Sequence, residues 1–201
     1  MSDSYYTVKS QAENDIIIQK SKFIAYVKRI INEEDAQKTI ESINKVHWKA
    51  NHNCYAYVCG ENNKVQKASD DGEPSGTAGV PILEVLKKKD LRDTLVVVTR
   101  YFGGIKLGAG GLIRAYSNAT SEGIKAAGIV ERVPVKIYNV TMSYSLLGAV
   151  ENALEQSPYL VRDKTYTDVV TIEIGVREED HSEFHDWMIN LCNGQCDIQE
   201  I

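Results

Sequence analysis

The 201-residue chain contains 43% hydrophobic and 25% charged residues, which excludes extensive disorder and allows one large domain or two small ones. No apolar run approaches the ~18 residues that a bilayer-spanning helix needs. The N-terminal segment lacks the layout of a secretory signal, so we expect a cytoplasmic protein. The net charge of −5 is uneven: residues 1–134 carry +3 and residues 135–201 carry −8, so the second part is a poor surface for nucleic acid.

The first part of the chain predicts a mixed α/β domain, which we place at residues 1–133. Asn32, followed by three acidic residues, is a typical start of a helix whose apolar stripe would be Ala36, Ile40, Ile43 and Val46. The run TLVVVTR is almost entirely apolar, as in a strand buried on both faces. The predicted elements are strands 15–19, 22–31, 53–59, 64–68 and 94–100, and helices 33–46, 81–89 and 112–127, the last ended by Gly128.

Residues 135–201 predict a second, smaller domain beyond Pro134. Its apolar patterns indicate strand 136–144, helix 146–156, strands 159–167 and 169–176, helix 181–192 and strand 195–201. The resulting βαββαβ order is that of a ferredoxin-like sandwich. Asp180 and Glu183 have the spacing of a capping box. The core-facing stripe of the second helix would be Phe184, Trp187, Met188 and Leu191. The fold class is therefore α+β with two domains.

A glycine-rich segment lies between strand 94–100 and the helix that follows it. Glycines there let backbone N–H groups converge, and the start of a helix adds positive potential. Cationic side chains flank the segment, so it predicts a site for a phosphate, a carboxylate or a nucleic-acid backbone. The alternative is a tight turn that serves only close packing. The candidate anion-binding residues are Arg100, Gly103, Gly104, Lys106, Gly108, Gly110, Gly111, Arg114 and Asn118.

Arg114 carries the most specific expectation at this segment. Arg114 is the third residue of the predicted helix 112–127, so we expect it in the first turn, where the helix dipole disfavours a cation. An anion that contacts both the arginine and the free backbone N–H groups would remove that conflict. One of the acids Asp70, Asp71 and Glu73 could take the place of this anion when no ligand is bound.

The acids Asp70, Asp71 and Glu73 have two possible roles. They could bind a hard cation or supply a general base, or they could form ion pairs with Arg100 and Arg114 that organise the loops. We favour the second role. If the site is catalytic, the candidate catalytic residues are His52, Asp71 and Glu73, because an imidazole titrates near neutral pH and a carboxylate can accept a proton.

The cysteine pattern argues against a zinc site. His52 and Cys54 share one face of a strand, whereas Cys59 points the other way. Cys192 and Cys196 lack the Cys-x-x-Cys spacing of common zinc sites. We therefore expect four reduced thiols in a cytoplasmic protein, and neither a metal nor a cofactor.

Four segments of the first domain carry a resemblance to a known family. They are KSKFIAYV (20–27), HNCYAY (52–57), SDDGEPSGTAGVPIL (69–83) and TRYFGGIKLGAGGLIRAY (99–116). These segments resemble the IMPACT family, also called uncharacterised protein family 29, over about residues 5–130. Residues 135–201 resemble the small C-terminal domain of its bacterial two-domain members.

The resemblance implies a fold for each domain. The first would have the fold of the second domain of a small-subunit ribosomal protein, which is shared with the GHMP small-molecule kinases. The second would resemble the last domain of elongation factor G. In the kinases a glycine loop before a helix holds phosphate, and residues 107–111 take a similar place. Leu112 and Ile113 stand where the kinases carry serines, so ATP binding does not carry over.

The resemblance also implies a role in translation, because eukaryotic members inhibit a starvation-sensing kinase by binding its activator. The eukaryotic members bind the activator through an additional N-terminal domain, and the resemblance therefore does not imply this interaction for the present chain.

The first hypothesis is a regulator of translation that binds the ribosome, RNA or a translation-associated partner through the basic glycine-loop surface. The acidic second domain would not contact nucleic acid, and no membrane is involved. The alternative is an enzyme acting on a phosphorylated or carboxylate small molecule, with Asp71 or Glu73 as base and Arg100, Lys106 and Arg114 holding the anion.

Overall fold

The structure, a computed structural model, describes residues 4–201. It contains a larger unit at residues 4–132 and a smaller unit at residues 133–201. Each unit has its own hydrophobic core. Both units combine sheets with helices, so the α+β architecture expected from the sequence is confirmed.

Residues 4–132 form the following elements in chain order: β1 (Tyr5–Val8), β2 (Ala12–Ile18), β3 (Ser21–Arg29), α1 (Glu33–Val46), β4 (His52–Cys59), β5 (Val65–Ser69), α2 (Gly79–Lys88), β6 (Thr94–Tyr101), α3 (Gly108–Ala127) and β7 (Ile129–Arg132). A single 3-10 turn, Glu61–Asn63, joins β4 to β5. The main sheet is antiparallel, with strand order β2-β3-β6-β4-β5, so β6 is central. β1 and β7 form a separate antiparallel ribbon.

Helices cover both faces of the five-stranded sheet. α2 and α3 pack on one face, where Phe23, Cys54 and Tyr116 belong to the main core. α1 packs on the other face, where Ile40 and Leu95 belong to a second core. Because the central β6 lies between the two layers, Thr94 to Arg100 are all buried, as the apolar run predicts.

The predicted ends of two helices are confirmed. The side chain of Asn32 accepts a hydrogen bond from the backbone N–H of Asp35 over 2.9 Å, which caps α1. Gly128 follows α3 with a φ of +70°, a conformation that favours glycine. The predicted burial of Val46 is wrong: this side chain is 71% exposed because it is the last residue of α1, where the chain leaves the helix.

The start of α3 differs from the sequence prediction. The helix begins at Gly108 rather than Leu112, so Gly108, Gly110 and Gly111 form its first turn. Glycine disfavours helix, but the apolar face that α3 buries along its 20 residues outweighs this local cost. Arg114 consequently lies in the second turn, and its predicted place in the first turn is wrong.

Residues 133–201 form β8 (Val135–Met142), α4 (Tyr144–Glu155), β9 (Leu160–Tyr166), β10 (Val170–Arg177), α5 (His181–Leu191) and β11 (Cys196–Glu200), with a 3-10 turn at Glu178–Asp180. The observed order is the predicted βαββαβ, and the antiparallel sheet has strand order β11-β8-β10-β9. Phe184 and Met188 are fully buried. The predicted capping box is wrong, because Asp180 precedes α5 without a side-chain hydrogen bond to it.

Within residues 4–201, no helix combines the length and the apolar character that crossing a membrane requires.

Candidate functional site

A row of three side chains crosses the sheet at one end. Arg100 lies next to the end of β6, and its register partners are Phe23 on β3 and His52 on β4. Directly paired residues of neighbouring strands project from the same face, so this row lies on the side of α2 and α3. The guanidinium carbon of Arg100 lies 5.4 Å from the ring centres of both Phe23 and Phe102. The arginine is thus held by two aromatic rings at the end of its strand.

Glu73, from the loop between β5 and α2, contacts this row of side chains. Its Oε1 accepts a hydrogen bond from Nη1 of Arg100 over 2.6 Å and another from the hydroxyl of Tyr116 over 2.8 Å. Glu73, Arg100 and Tyr116 are all buried. Burial and the neighbouring Cys54 and Glu73 raise the pKa of Tyr116, so its hydroxyl stays protonated and donates to the carboxylate.

His52 stands at the edge of this buried cluster. Its Nδ1 lies 2.7 Å from the carbonyl oxygen of Asp71. A carbonyl only accepts hydrogen bonds, so Nδ1 carries the proton in the assigned tautomer. Nε2 then faces Oε2 of Glu73 over 3.8 Å, which is too long for a hydrogen bond. Of the three candidate catalytic residues, the structure therefore brings His52 and Glu73 side by side, while Asp71 reaches His52 only through its backbone.

The carboxylates of Asp70 and Asp71 organise the loop backbone. Asp70 accepts hydrogen bonds from the N–H groups of Gly76, Ala78 and Gly79 over 2.8 to 3.0 Å. Burial by itself would raise the pKa of Asp70, but these three donors outweigh it and hold the pKa below its usual value. Asp71 accepts from the backbone N–H of Asn53 over 2.6 Å. Among residues 4–201, no group of three or more His, Cys, Asp or Glu side chains is arranged to hold a metal ion.

Cys54 lies beneath the same loop as an inert thiol. Its Sγ lies 2.9 Å from the carbonyl oxygen of Asp70 and 3.4 Å from the hydroxyl of Tyr116. Burial raises the pKa of Cys54 to about 12, so the thiolate does not form at neutral pH. Cys54 and Cys59 belong to the cores on opposite faces of the sheet, as the strand spacing predicts.

The predicted glycine loop spans the end of β6 and the start of α3, and its glycines serve different purposes. A side chain at Gly103 would clash with the backbone of Lys20 and Ser21, so this position requires close approach of two chain segments. Gly104 and Gly108 have φ values of +85° and +69°, which other residues rarely adopt. A Cβ at Gly110 would meet only Nη1 of Arg114, at 3.8 Å, so packing does not explain this glycine.

The predicted anion-binding side chains divide into two groups. Arg100 is buried and already engaged by Glu73, which is one of the two ion pairs that the alternative predicts. The predicted pairing of Asp70, Asp71 or Glu73 with Arg114 is wrong, because these carboxylates bind Arg100 and backbone N–H groups instead. Lys106, Arg114 and Asn118 are exposed. Neither Lys106 nor Arg114 forms an ion pair with any residue that the structure describes. The guanidinium of Arg114 reaches back toward Gly110 in the first turn of α3.

Two further cations, which sequence analysis did not single out, lie at the same end of the sheet. Lys20 occupies the turn between β2 and β3, against which Gly103 packs. Lys49 lies in the loop before β4, which hydrogen-bonds to the end of β6. Both are exposed and neither forms an ion pair within the described part of the chain. We call Lys20, Lys49, Lys106 and Arg114 together the basic end of the sheet.

Comparisons with known proteins place the chain in a family. Residues 19–124 match the family described as Impact N-terminal domain, and residues 140–195 match the family described as Domain of unknown function (DUF1949). The chain is 53% identical over 200 residues to IMPACT family member YvyE of Bacillus subtilis (strain 168), covering 100% of this chain and 92% of that protein. It is 39% identical over 95 residues to Protein IMPACT-B of Xenopus tropicalis, covering 45% of this chain and 29% of that protein.

Among solved structures, the crystal structure of a hypothetical protein is similar with a TM-score of 0.63 at 27% identity, covering 100% of this chain and 98% of that chain. The match to that structure and the match to YvyE both extend over the whole length of the chain, whereas the match to the Xenopus protein covers less than half of it. The chain therefore belongs to the IMPACT family.

Proposed function

We propose that the protein is a regulator of translation that binds ribosomal RNA through the basic end of its larger unit. One observation carries the proposal. Lys106 and Arg114 are exposed, form no ion pair among residues 4–201, and stand on either side of the start of α3. Cations without carboxylate partners beside a helix start are a suitable surface for phosphate groups.

The start of α3 adds to the attraction that the cations exert. None of its first-turn residues is acidic, and no side chain among residues 4–201 caps the helix. Its first N–H groups therefore keep their capacity to donate, and the dipole of a 20-residue helix favours negative charge there. Gly110, for which packing gives no reason, leaves this backbone open to a phosphate.

The family resemblance supports a role in translation. We propose that residues 1–133 form a domain with the ribosomal-protein fold that the GHMP kinases share, and that residues 135–201 form a domain related to the last domain of elongation factor G. The βαββαβ order of the smaller unit supports the second relationship. The protein would act in the cytoplasm, where ribosomes work.

Co-sedimentation with ribosomes and filter binding of ribosomal RNA test the proposal. We expect Lys106→Ala and Arg114→Ala to weaken both and to reduce the dependence of binding on salt between about 50 and about 200 mM, because each removes one phosphate contact. Lys125→Ala is the matched control: it removes an exposed lysine from the other end of α3, where Glu122 lies 3.8 Å away.

Circular dichroism checks that each variant folds. Wild-type affinity in a folded Arg114→Ala protein, or absence of RNA and ribosome binding by the wild type at low salt, would overturn the proposal. Binding of phosphorylated metabolites with no binding of RNA would favour the enzyme alternative instead.

A further inference from the structure

Two aromatic side chains are exposed next to the basic end. Trp48 is 73% exposed and Phe102 is 45% exposed. Exposed aromatic rings are the side chains on which nucleic-acid bases stack. The ammonium group of Lys49 lies 5.0 Å from the centre of the Trp48 ring, which places Trp48 beside one cation of the basic end.

Hydrogen bonds hold the segments that carry the two rings against each other. The backbone N–H of Asn51 donates to the carbonyl of Arg100 over 2.9 Å, and the side-chain oxygen of Asn51 accepts from the N–H of Phe102 over 2.8 Å. Nδ1 of His47 lies 2.9 Å from the hydroxyl of Tyr101. Trp48 and Phe102 each adjoin a residue of this contact, so both rings lie at the same end of the sheet.

The Phe102 ring is further fixed by the buried cluster. It lies over the guanidinium of Arg100, which Glu73 holds in turn. A ring that is held in place while nearly half exposed loses little side-chain entropy when a ligand stacks on it.

We infer that this surface binds unpaired RNA, with bases stacking on Trp48 and Phe102 while Lys20, Lys49, Lys106 and Arg114 neutralise the flanking phosphates. The inference rests on the proposed function and names the form of RNA that it requires. Alternating aromatic rings and cations are the usual means of binding single strands, because every base has a face that can stack. Paired bases in a duplex do not offer that face.

A protein partner would also use an exposed tryptophan, but the surrounding charge favours RNA. Carboxylates of the same unit already have partners: Glu73 binds Arg100, Asp71 accepts from the backbone N–H of Asn53, and Asp15 lies 3.2 Å from Lys22. The four cations of the basic end have no such partner among the described residues, which suits a polyanion better than a mixed protein surface.

Tryptophan fluorescence gives a direct test in the full-length chain. The protein contains two tryptophans, Trp48 and Trp187, so the Trp187→Phe variant leaves Trp48 as the only reporter. We expect a single-stranded oligoribonucleotide of about ten residues to quench this fluorescence and a blunt duplex of the same length not to do so. Fluorescence anisotropy with a labelled oligoribonucleotide then measures the affinity of variants.

Trp48→Leu and Phe102→Leu should each weaken single-strand binding at least about fivefold, while Trp48→Phe keeps most of it because a ring remains. Ile31→Ala is the matched control, since Ile31 is also 73% exposed but follows β3 at the opposite end of the sheet. Circular dichroism confirms the fold of each variant.

Equal affinity for duplex and single strand without quenching would overturn this inference and leave the proposed function standing. Loss of ribosome co-sedimentation in Trp48→Leu with unchanged RNA affinity would overturn it in favour of a ribosomal protein as the partner of this surface. Absence of any RNA binding by the wild type would instead refute the proposed function itself.

Discussion

Nη1 of Arg100 donates to Oε1 of Glu73 over 2.6 Å, and the two side chains are only 7% and 4% exposed. Removing one partner of such a buried pair leaves the other charge without compensation. We expect Arg100→Met to lower the free energy of unfolding by about 3–5 kcal/mol, as measured by urea denaturation.

The double variant Arg100→Met/Glu73→Leu supplies the control, because it removes both charges. We expect it to be more stable than Arg100→Met alone, since no buried charge remains unpaired. If the two variants are equally stable, the loss reflects packing of Arg100 against Phe23 and Phe102 and not its charge.

Gly103 and Gly110 belong to the same glycine-rich segment but should respond oppositely to alanine. A Cβ at Gly103 would clash with backbone atoms of Lys20 and Ser21, which cannot yield as a flexible side chain can. We expect Gly103→Ala to cost about 3 kcal/mol of stability, near the upper end of overpacking costs. Gly110→Ala, in the first turn of α3, should stabilise by about 0.5–1 kcal/mol because it restricts the unfolded chain.

Thermal and urea unfolding measure both variants side by side. Equal stability of the two variants would show that the backbone of the turn between β2 and β3 shifts to accommodate a methyl group at position 103. The close approach would then not require glycine at that position.

The sequence predicts most of the fold, because periodicity and caps are local. The cap at Asn32, the buried strand β6 and the βαββαβ order all follow from patterns within a few residues. β1 and β7 were missed because four-residue strands carry little pattern and pair over a separation that sequence does not reveal. The early start of α3 was missed because glycine propensity opposes it and only packing decides it.

The candidate site is less predictable, because its contacts join distant parts of the chain. The sequence indicates Arg100 and Glu73 as candidate site residues, and an ion pair between them is one of the two roles that it allows for the acids. The sequence offers no reason to include Tyr116, because its position on α3 is that of an ordinary core residue. Only the structure shows its hydroxyl donating a hydrogen bond to Glu73. The sequence also does not single out Lys49 and Trp48, because their exposure depends on how the loop before β4 folds, and Asn51 of that loop is held by a hydrogen bond to Phe102.

Asp70 should make stability dependent on pH in the acid range. Its folded-state pKa lies below the ordinary value, so its contribution is present above the unfolded pKa and is lost as the pH falls through the folded pKa. Asp70→Asn cannot accept all three backbone N–H groups, so we expect a loss of about 1–3 kcal/mol at neutral pH. The difference between wild type and variant should shrink below about pH 4.

Urea denaturation between acidic and neutral pH measures this difference. Asp90→Asn is a suitable control, since this exposed carboxylate follows α2, and we expect a change within about 0.5 kcal/mol. A stability difference for Asp70→Asn that does not vary with pH would contradict the electrostatic explanation of the loop.

A fragment containing residues 1–132 should fold alone and keep the RNA affinity of the whole protein. The larger unit has cores on both faces of its sheet, formed by residues of that unit only, so it needs no apolar contribution from elsewhere. It also contains every residue of the basic end, whereas residues 135–201 carry 12 acidic and 4 basic residues. Removing that negative charge should leave RNA affinity unchanged or raise it, because repulsion of the phosphates falls.

A cooperative thermal transition establishes folding, and anisotropy at matched ionic strength then compares the fragment with the full chain. A folded fragment that binds RNA much more weakly would place part of the contact surface in the smaller unit.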